Sequence, residues 1–213
     1  DRRQRQMCIR DSQRTFFVIA GGVYIVLVLA CAILPAASME RQYPVTKVWV
    51  DPRVERGRVL YKSYGCVYCH TMQIRGDERL AKELADGTLE VPVLGADRRF
   101  GLDAPSMAEE YRYDDPPFLG TERFGPDLLA VGTRLTSATW HYWHLYDPRS
   151  VSPDSNMPGM PWLFHTEDTK QDGDEKVAPL FGLDVEKGRL YATPDARDLV
   201  EFLLSRTRPE SRR

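Results

Sequence analysis

The chain has 213 residues, enough for one globular domain and a short extension. Its 29 basic and 31 acidic residues nearly cancel, which excludes the strongly basic face of a nucleic-acid-binding protein. Of the four cysteines, Cys8 falls in an N-terminal tail and Cys31 in an uncharged apolar run, so neither can readily pair with Cys66 or Cys69 and a disulfide framework is not expected.

Residues 1–14 form a polar tail in which Arg2, Arg3, Arg5, Arg10 and Arg14 are opposed only by Asp1 and Asp11. The twenty residues 15–34 then carry no charge at all. At a rise of about 1.5 Å per residue they match the roughly 30 Å apolar core of a bilayer, so a single transmembrane helix is predicted there. The arginine cluster places the N-terminus in the cytoplasm and everything from Pro35 onward on the periplasmic or extracellular side. A cleaved signal peptide shares this pattern, but its apolar part runs only about 7–15 residues, so a retained anchor is the expected state. Cys31 falls inside the span and reads as a small apolar residue.

Residues 35–52 read as a linker bracketed by Pro35 and Pro52. Residues 53–205 are expected to form one domain. It opens with a helix from Arg53 to Tyr64, on which Val54, Leu60, Tyr61 and Tyr64 share a face. This helix runs directly into Gly65-Cys66-Val67-Tyr68-Cys69-His70. Residues 76–120 are charged and broken by Pro92, Pro105, Pro116 and Pro117. They are expected to form an enlarged, partner-contacting surface loop with short helical pieces such as Arg79–Leu84. A helix over 137–146 is predicted, capped by Thr136 or Ser137 and ended by Asp147-Pro148. The last helix starts at Thr193-Pro194-Asp195, with an apolar stripe of Leu199, Phe202 and Leu203. Residues 206–213 are expected to be a solvated tail.

Cys66-x-x-Cys69-His70 has the spacing that attaches haem c covalently. Two thiols so spaced reach the two vinyl groups of one haem, and the adjacent imidazole falls beneath the iron. A zinc site is the competing reading. It needs about four protein ligands, which only His141 and His144 are available to complete. Haem iron also takes a sixth ligand, commonly His or Met. A resemblance of this region to class I cytochromes c implies that Met157 or Met160, in Asn156-Met157-Pro158-Gly159-Met160-Pro161, is that ligand, with Met157 preferred. Such an iron has no open position and transfers electrons only.

The region resembles class I cytochromes c, which place an axial Met late in the fold in a Met-Pro context. In those proteins a segment similar to Phe124-Gly125-Pro126-Asp127-Leu128 lies against the proximal histidine. That resemblance implies that the Pro126 carbonyl accepts the His70 ring N–H. The implied architecture is mainly α: one N-terminal transmembrane helix, then a class I cytochrome c-like domain with an enlarged loop.

A narrower resemblance rests on Gly57-x-x-x-Tyr61, Gln73-Ile74-Arg75, Ser106-Met107-Ala108-Glu109-Glu110-Tyr111 and Gly125-Pro126-Asp127-Leu128. Trp140-His141-x-x-His144-Leu145-x-Asp147-Pro148-Arg149 and Val151-x-Pro153-x-Ser155-x-Met157-Pro158-Gly159 add its most specific part. Over about residues 15–165 the chain is similar to the mono-haem subunit of cbb₃-type cytochrome c oxidases. Residues 76–105 and the acidic stretch 166–190 depart from that pattern. The resemblance implies electron transfer from a di-haem cytochrome c subunit or a soluble cytochrome c to a polytopic haem-copper catalytic subunit, where oxygen is reduced. The cytochrome c subunit of a nitric oxide reductase and a free-standing tethered shuttle are the alternatives. His141 and His144, one helical turn apart, are candidates to contact a haem propionate or the catalytic subunit. Arg149 is a candidate partner for a propionate.

Overall fold

The computed structural model describes residues 2–42, 50–77, 80–93, 95–98, 102, 104–111, 114–183 and 187–208. The chain divides into two units, Asp1–Val48 and Trp49–Arg213.

The first unit is helical: α1 (Arg2–Val28), a π-helical turn (Leu29–Ile33) and α2 (Leu34–Gln42). Within its stretch Ser12–Ser38 an 18-residue window reaches a mean hydropathy of 2.8. By length and composition the stretch can cross a bilayer. Residues 35–42, expected as linker, instead continue the helix. Pro35 has no N–H for the usual bond and its ring crowds the carbonyl four residues back. The π turn widens the helix just ahead of it, with Leu34 N–H bonded five residues back to Leu29 O. The rest of the expected linker, residues 43–49, lies outside the described residues.

The second unit is organised around a pair of helices far apart in sequence, α3 (Pro52–Ser63) at its start and an equally long helix at its end. Asp51 caps α3 by accepting the Arg53 N–H at 2.8 Å, and Pro52 fills the first helical position. A 3₁₀ turn (Cys66–Tyr68) follows, then two short strands, β1 (Lys82–Glu83) and β2 (Leu89–Glu90), and the helical turn α4 (Gly95–Arg98). After another 3₁₀ turn (Ala108–Tyr111) come α5 (Val131–Arg134), α6 (Ala138–Tyr146) and α7 (Pro148–Val151). A three-stranded antiparallel sheet of β3 (Phe164–Thr166), β4 (Glu175–Lys176) and β5 (Leu190–Ala192) precedes α8 (Pro194–Ser205). The caps expected for α6 and α8 are present. Ser137 Oγ accepts the Trp140 N–H at 3.2 Å, and Thr193 Oγ1 accepts the Ala196 N–H at 3.2 Å.

Where α3 crosses α8 the two backbones nearly touch. A Cβ on Gly57 would lie 2.6 Å from the Asp198 carbonyl carbon and 2.7 Å from Phe202 Cβ. Around this crossing Tyr61 packs its ring 5.5 Å from Phe202 and 5.6 Å from Phe118, with Leu199 and Leu203 buried alongside. Each such side chain contributes roughly 1.5–3 kcal/mol through burial. Arg56 adds a 2.7 Å ion pair to Asp198. Because the obstacle is backbone, Gly57→Ala should force the helices apart and destabilise the domain by about 1–3 kcal/mol. A fall in Tm of roughly 3–10 °C, followed by circular dichroism, is the expected result.

The 76–120 region differs from its expected form. Arg79, where a short helix was expected to begin, lies outside the described residues, and 82–90 is a hairpin. β1 pairs antiparallel with β2, Lys82 opposite Glu90 and Glu83 opposite Leu89. Asp86-Gly87 makes its turn, with Asp86 Oδ1 accepting from Thr88 N at 2.9 Å and Thr88 Oγ1 at 2.6 Å. The region is also part of the core, since Val93, Leu102 and Phe118 are buried.

The expected solvated tail begins later than Arg206. That residue forks onto Asp114 through two 2.9 Å bonds. Arg208, only 4% exposed, bonds Glu110 at 2.7 and 2.8 Å and the carbonyls of Ala104 and Pro105. A guanidinium fork satisfies carboxylates and carbonyls together, which is why these arginines fold inward. Residues 209–213 lie outside the described residues.

The acidic stretch after residue 165 supplies β4, and its sheet has the order β3-β5-β4. Trp143 is fully buried and donates its indole N–H to Ala178 O at 3.1 Å, tying α6 to this region. The domain is therefore helical around its core but carries small sheets that its periodicity did not announce.

Candidate functional site

The turn after α3 brings the motif residues to one wall of a cavity. Cys69 N–H and His70 N–H both bond Cys66 O, at 3.2 and 2.9 Å, folding the five-residue motif into a tight loop. The cavity has a volume of about 530 Å³. That lies within the range of roughly 300–1,000 Å³ typical of cofactor sites. Cys66, Cys69 and His70 line it, with Tyr61 of α3 and Tyr64 just past its end, Gly125, Pro126 and Leu128, and Leu199 and Leu203 of α8. Trp140, His141 and His144 of α6 contribute another part, and Met157 and Met160 from the segment after α7 a further one.

His70 is held by its neighbours. Its Nδ1–H donates to Pro126 O at 2.8 Å, the bond the sequence led one to expect. That fixes the tautomer and leaves Nε2 as the ring nitrogen with a lone pair. Gly125 lies flat against the ring: a Cβ there would sit 2.7 Å from Nδ1 and 2.9 Å from Nε2. Gly125 N–H bonds Cys69 O at 3.0 Å, and Leu128 N–H bonds Thr71 O at 2.8 Å. The Gly125–Leu128 segment is thus laced along the chain just beyond the motif. Burial holds the His70 imidazole below its usual pKa, so it stays neutral, the form that ligates metals. Burial likewise pushes the Cys66 thiol up to about 11.

Of the predicted site residues, Cys66, Cys69, His70, Pro126 and Met157 all meet in this cavity. Arg149 does not line it and is solvent-exposed on α7. Arg134 is the arginine that does. It is partly buried, donating through Nη2 to Asp127 O at 2.7 Å. Its one signal in the sequence is its position as a lone charge inside the apolar run 128–135. The two α6 histidines part company. His141 donates Nε2–H to Leu135 O at 2.9 Å and is a satisfied core histidine. His144 stacks on Trp140 with centroids 4.6 Å apart, and its buried Nδ1 has no hydrogen-bond partner among the described residues. Burial, reinforced by His70 and His141, pushes its pKa down to about 4. Met160 is 6% exposed and packed in the core, whereas Met157 is half-buried on the segment leading to it.

These residues fit a haem. Two thiols, an imidazole with one nitrogen already bonded, and a thioether share one largely apolar cavity. The competing zinc reading has less support: among the described residues no three His, Cys, Asp or Glu side chains group closely enough to hold a metal.

Residues 9–198 match the model of the family described as cytochrome c oxidase, mono-heme subunit/FixO. The chain belongs to that family. It is the mono-haem subunit type of the cbb₃ oxidases that the motifs had suggested. Membership implies a haem, a role in electron transport and a catalytic oxidase subunit as partner. No curated protein matches the chain.

Proposed function

We propose that this chain carries one covalently attached haem c and passes electrons to the haem b and haem-copper centres of a polytopic catalytic subunit that reduces oxygen to water. The observation that carries the reading is the convergence of Cys66, Cys69, His70 and Met157 on one apolar cavity. Cys66 and Cys69 would form the thioether links, His70 Nε2 and the Met157 sulfur would hold the iron, and the domain would be class I cytochrome c-like. The group supplies a one-electron couple whose potential His/Met ligation raises.

The protein's own part is positional. The Pro126 carbonyl orients His70 and raises its basicity as a ligand. The apolar walls exclude water, and Arg134 offers a partly buried cation to a propionate. Arg149, exposed on α7 and outside the lining, has less support as a propionate partner. The basic N-terminus supports a cytoplasmic start, with the haem domain on the periplasmic or outer face. A di-haem cytochrome c subunit or a soluble cytochrome c would be the donor.

The test is a reduced-minus-oxidised spectrum of the detergent-solubilised complex purified through this chain. A c-type band with b-type bands and oxygen consumption is expected. A c-type band alone would shift the reading to a solitary tethered shuttle, and nitric oxide consumption in place of oxygen would reassign the complex.

A further inference from the structure

Behind the Pro126–His70 bond lies a buried group of charges that the haem cavity does not include. The Asp127 carboxylate accepts Leu129 N–H at 2.9 Å on one oxygen, and Gln73 N–H at 2.7 Å and the Thr71 hydroxyl on the other. Arg123 closes the group. Its Nε donates to Thr71 Oγ1 at 3.0 Å and one terminal nitrogen to Gln73 O, while that same nitrogen stands 3.8 Å from Asp127. Its other terminal nitrogen pairs with Asp97 at 2.6 Å. Asp97 and Asp127 are each about 1% exposed. Thr71 directly follows His70, Asp127 directly follows Pro126, and Asp97 comes from α4 within the long loop.

A buried carboxylate so placed needs a reason, because an ion pair of this kind contributes little net stability once desolvation is counted. Positioning supplies one. The Pro126 carbonyl can hold the His70 N–H only if residues 125–128 stay in register with residues 69–73. Asp127 and Thr71 lock that register, and the Arg123 fork keeps Thr71 Oγ1 turned toward Asp127. Asp97 supplies the charge that holds Arg123 there.

We propose that Asp97, carried on the long loop, is a positioning residue for the proximal histidine. Through Arg123 it keeps the Pro126 carbonyl on His70, and the fixed charges of the group bias the haem toward its oxidised state. The inference rests on reading His70 as an axial ligand. The sign follows from two effects acting together. A firmly accepted Nδ1–H makes the imidazole a stronger donor to ferric iron. A buried negative charge nearby also favours the form with one more positive charge.

The test uses the full chain with its haem attached. In Asp97→Asn the haem stain and low-spin spectrum should persist. The ratio of reduced to oxidised haem at a fixed applied potential should rise about tenfold, a shift of about 59 mV for a one-electron couple. The His70 Nδ1 proton, followed by NMR, should exchange with deuterium at least about tenfold faster, because its bond to Pro126 is what retards exchange. Asp97→Glu should restore both values. If Asp97→Asn fails to accumulate, Arg123→Lys keeps the charge but loses the fork, and it should show the faster exchange. An unchanged potential and exchange rate in a haem-loaded Asp97→Asn protein would overturn the proposal and leave Asp97 a loop staple. Absence of covalent haem from the unaltered chain would instead overturn the haem reading itself.

Discussion

Replacing Cys66 and Cys69 together with serine should abolish the haem stain on a denaturing gel, while either single change should leave a weaker, partly attached band. The two thiols open one wall of the cavity, and no third cysteine among the described residues lies there to substitute. The effect on stability should also be large. A cofactor bound only to the folded state stabilises it by mass action, and a covalent one is present at an effectively saturating level. The double variant should therefore melt lower as well as lose its stain. A stain that survives would mean that the attachment site has been misread.

Met157→His should keep the stain and lower the midpoint potential by on the order of 0.1–0.3 V, within the range of about 0.8 V that axial ligands span. Imidazole in place of thioether favours ferric iron. The far-red band of a thioether–ferric bond should vanish at the same time. Met160 lines the same cavity, so Met160→Leu is the informative control. Its side chain is buried in the core, and this change should cost less than about 1.5 kcal/mol and leave the band in place. The reverse pattern, with the band lost on changing Met160 and kept on changing Met157, would exchange the two assignments.

What could be read before the structure was mostly local chemistry. Thr193-Pro194-Asp195 and Ser137 announce helix starts because a cap needs only residues three apart in sequence. The attachment motif is legible for the same reason, since its geometry is contained in five positions. The Pro126–His70 bond spans 56 residues and came from family resemblance rather than from pattern. The hairpin at 82–90 was available in Asp86-Gly87, but the charges around it obscured the turn signal. Arg149 and Arg134 could not be ranked from sequence, because the choice depends on which face of the fold each occupies. Arg208 falls in the stretch expected to be a solvated tail, because its carboxylate partner is 98 residues away. The continuation of the first helix past Pro35 was missed because a proline reads as a stop, and only the π turn ahead of it permits otherwise.

The inward turn of Arg206 and Arg208 has a consequence for how this protein breathes. These two guanidinium groups join the end of α8 to residues 104–114, and α8 is itself clasped against α3. A helix end ordinarily frays, and a long loop ordinarily opens at little free-energy cost. Here neither can open without breaking the hydrogen bonds that Arg206 and Arg208 make to Asp114, Glu110, Ala104 and Pro105. The loop and the two long helices should therefore open as one cooperative unit. The amides of Ser106 and Glu110 should exchange with deuterium as slowly as those in the middle of α8.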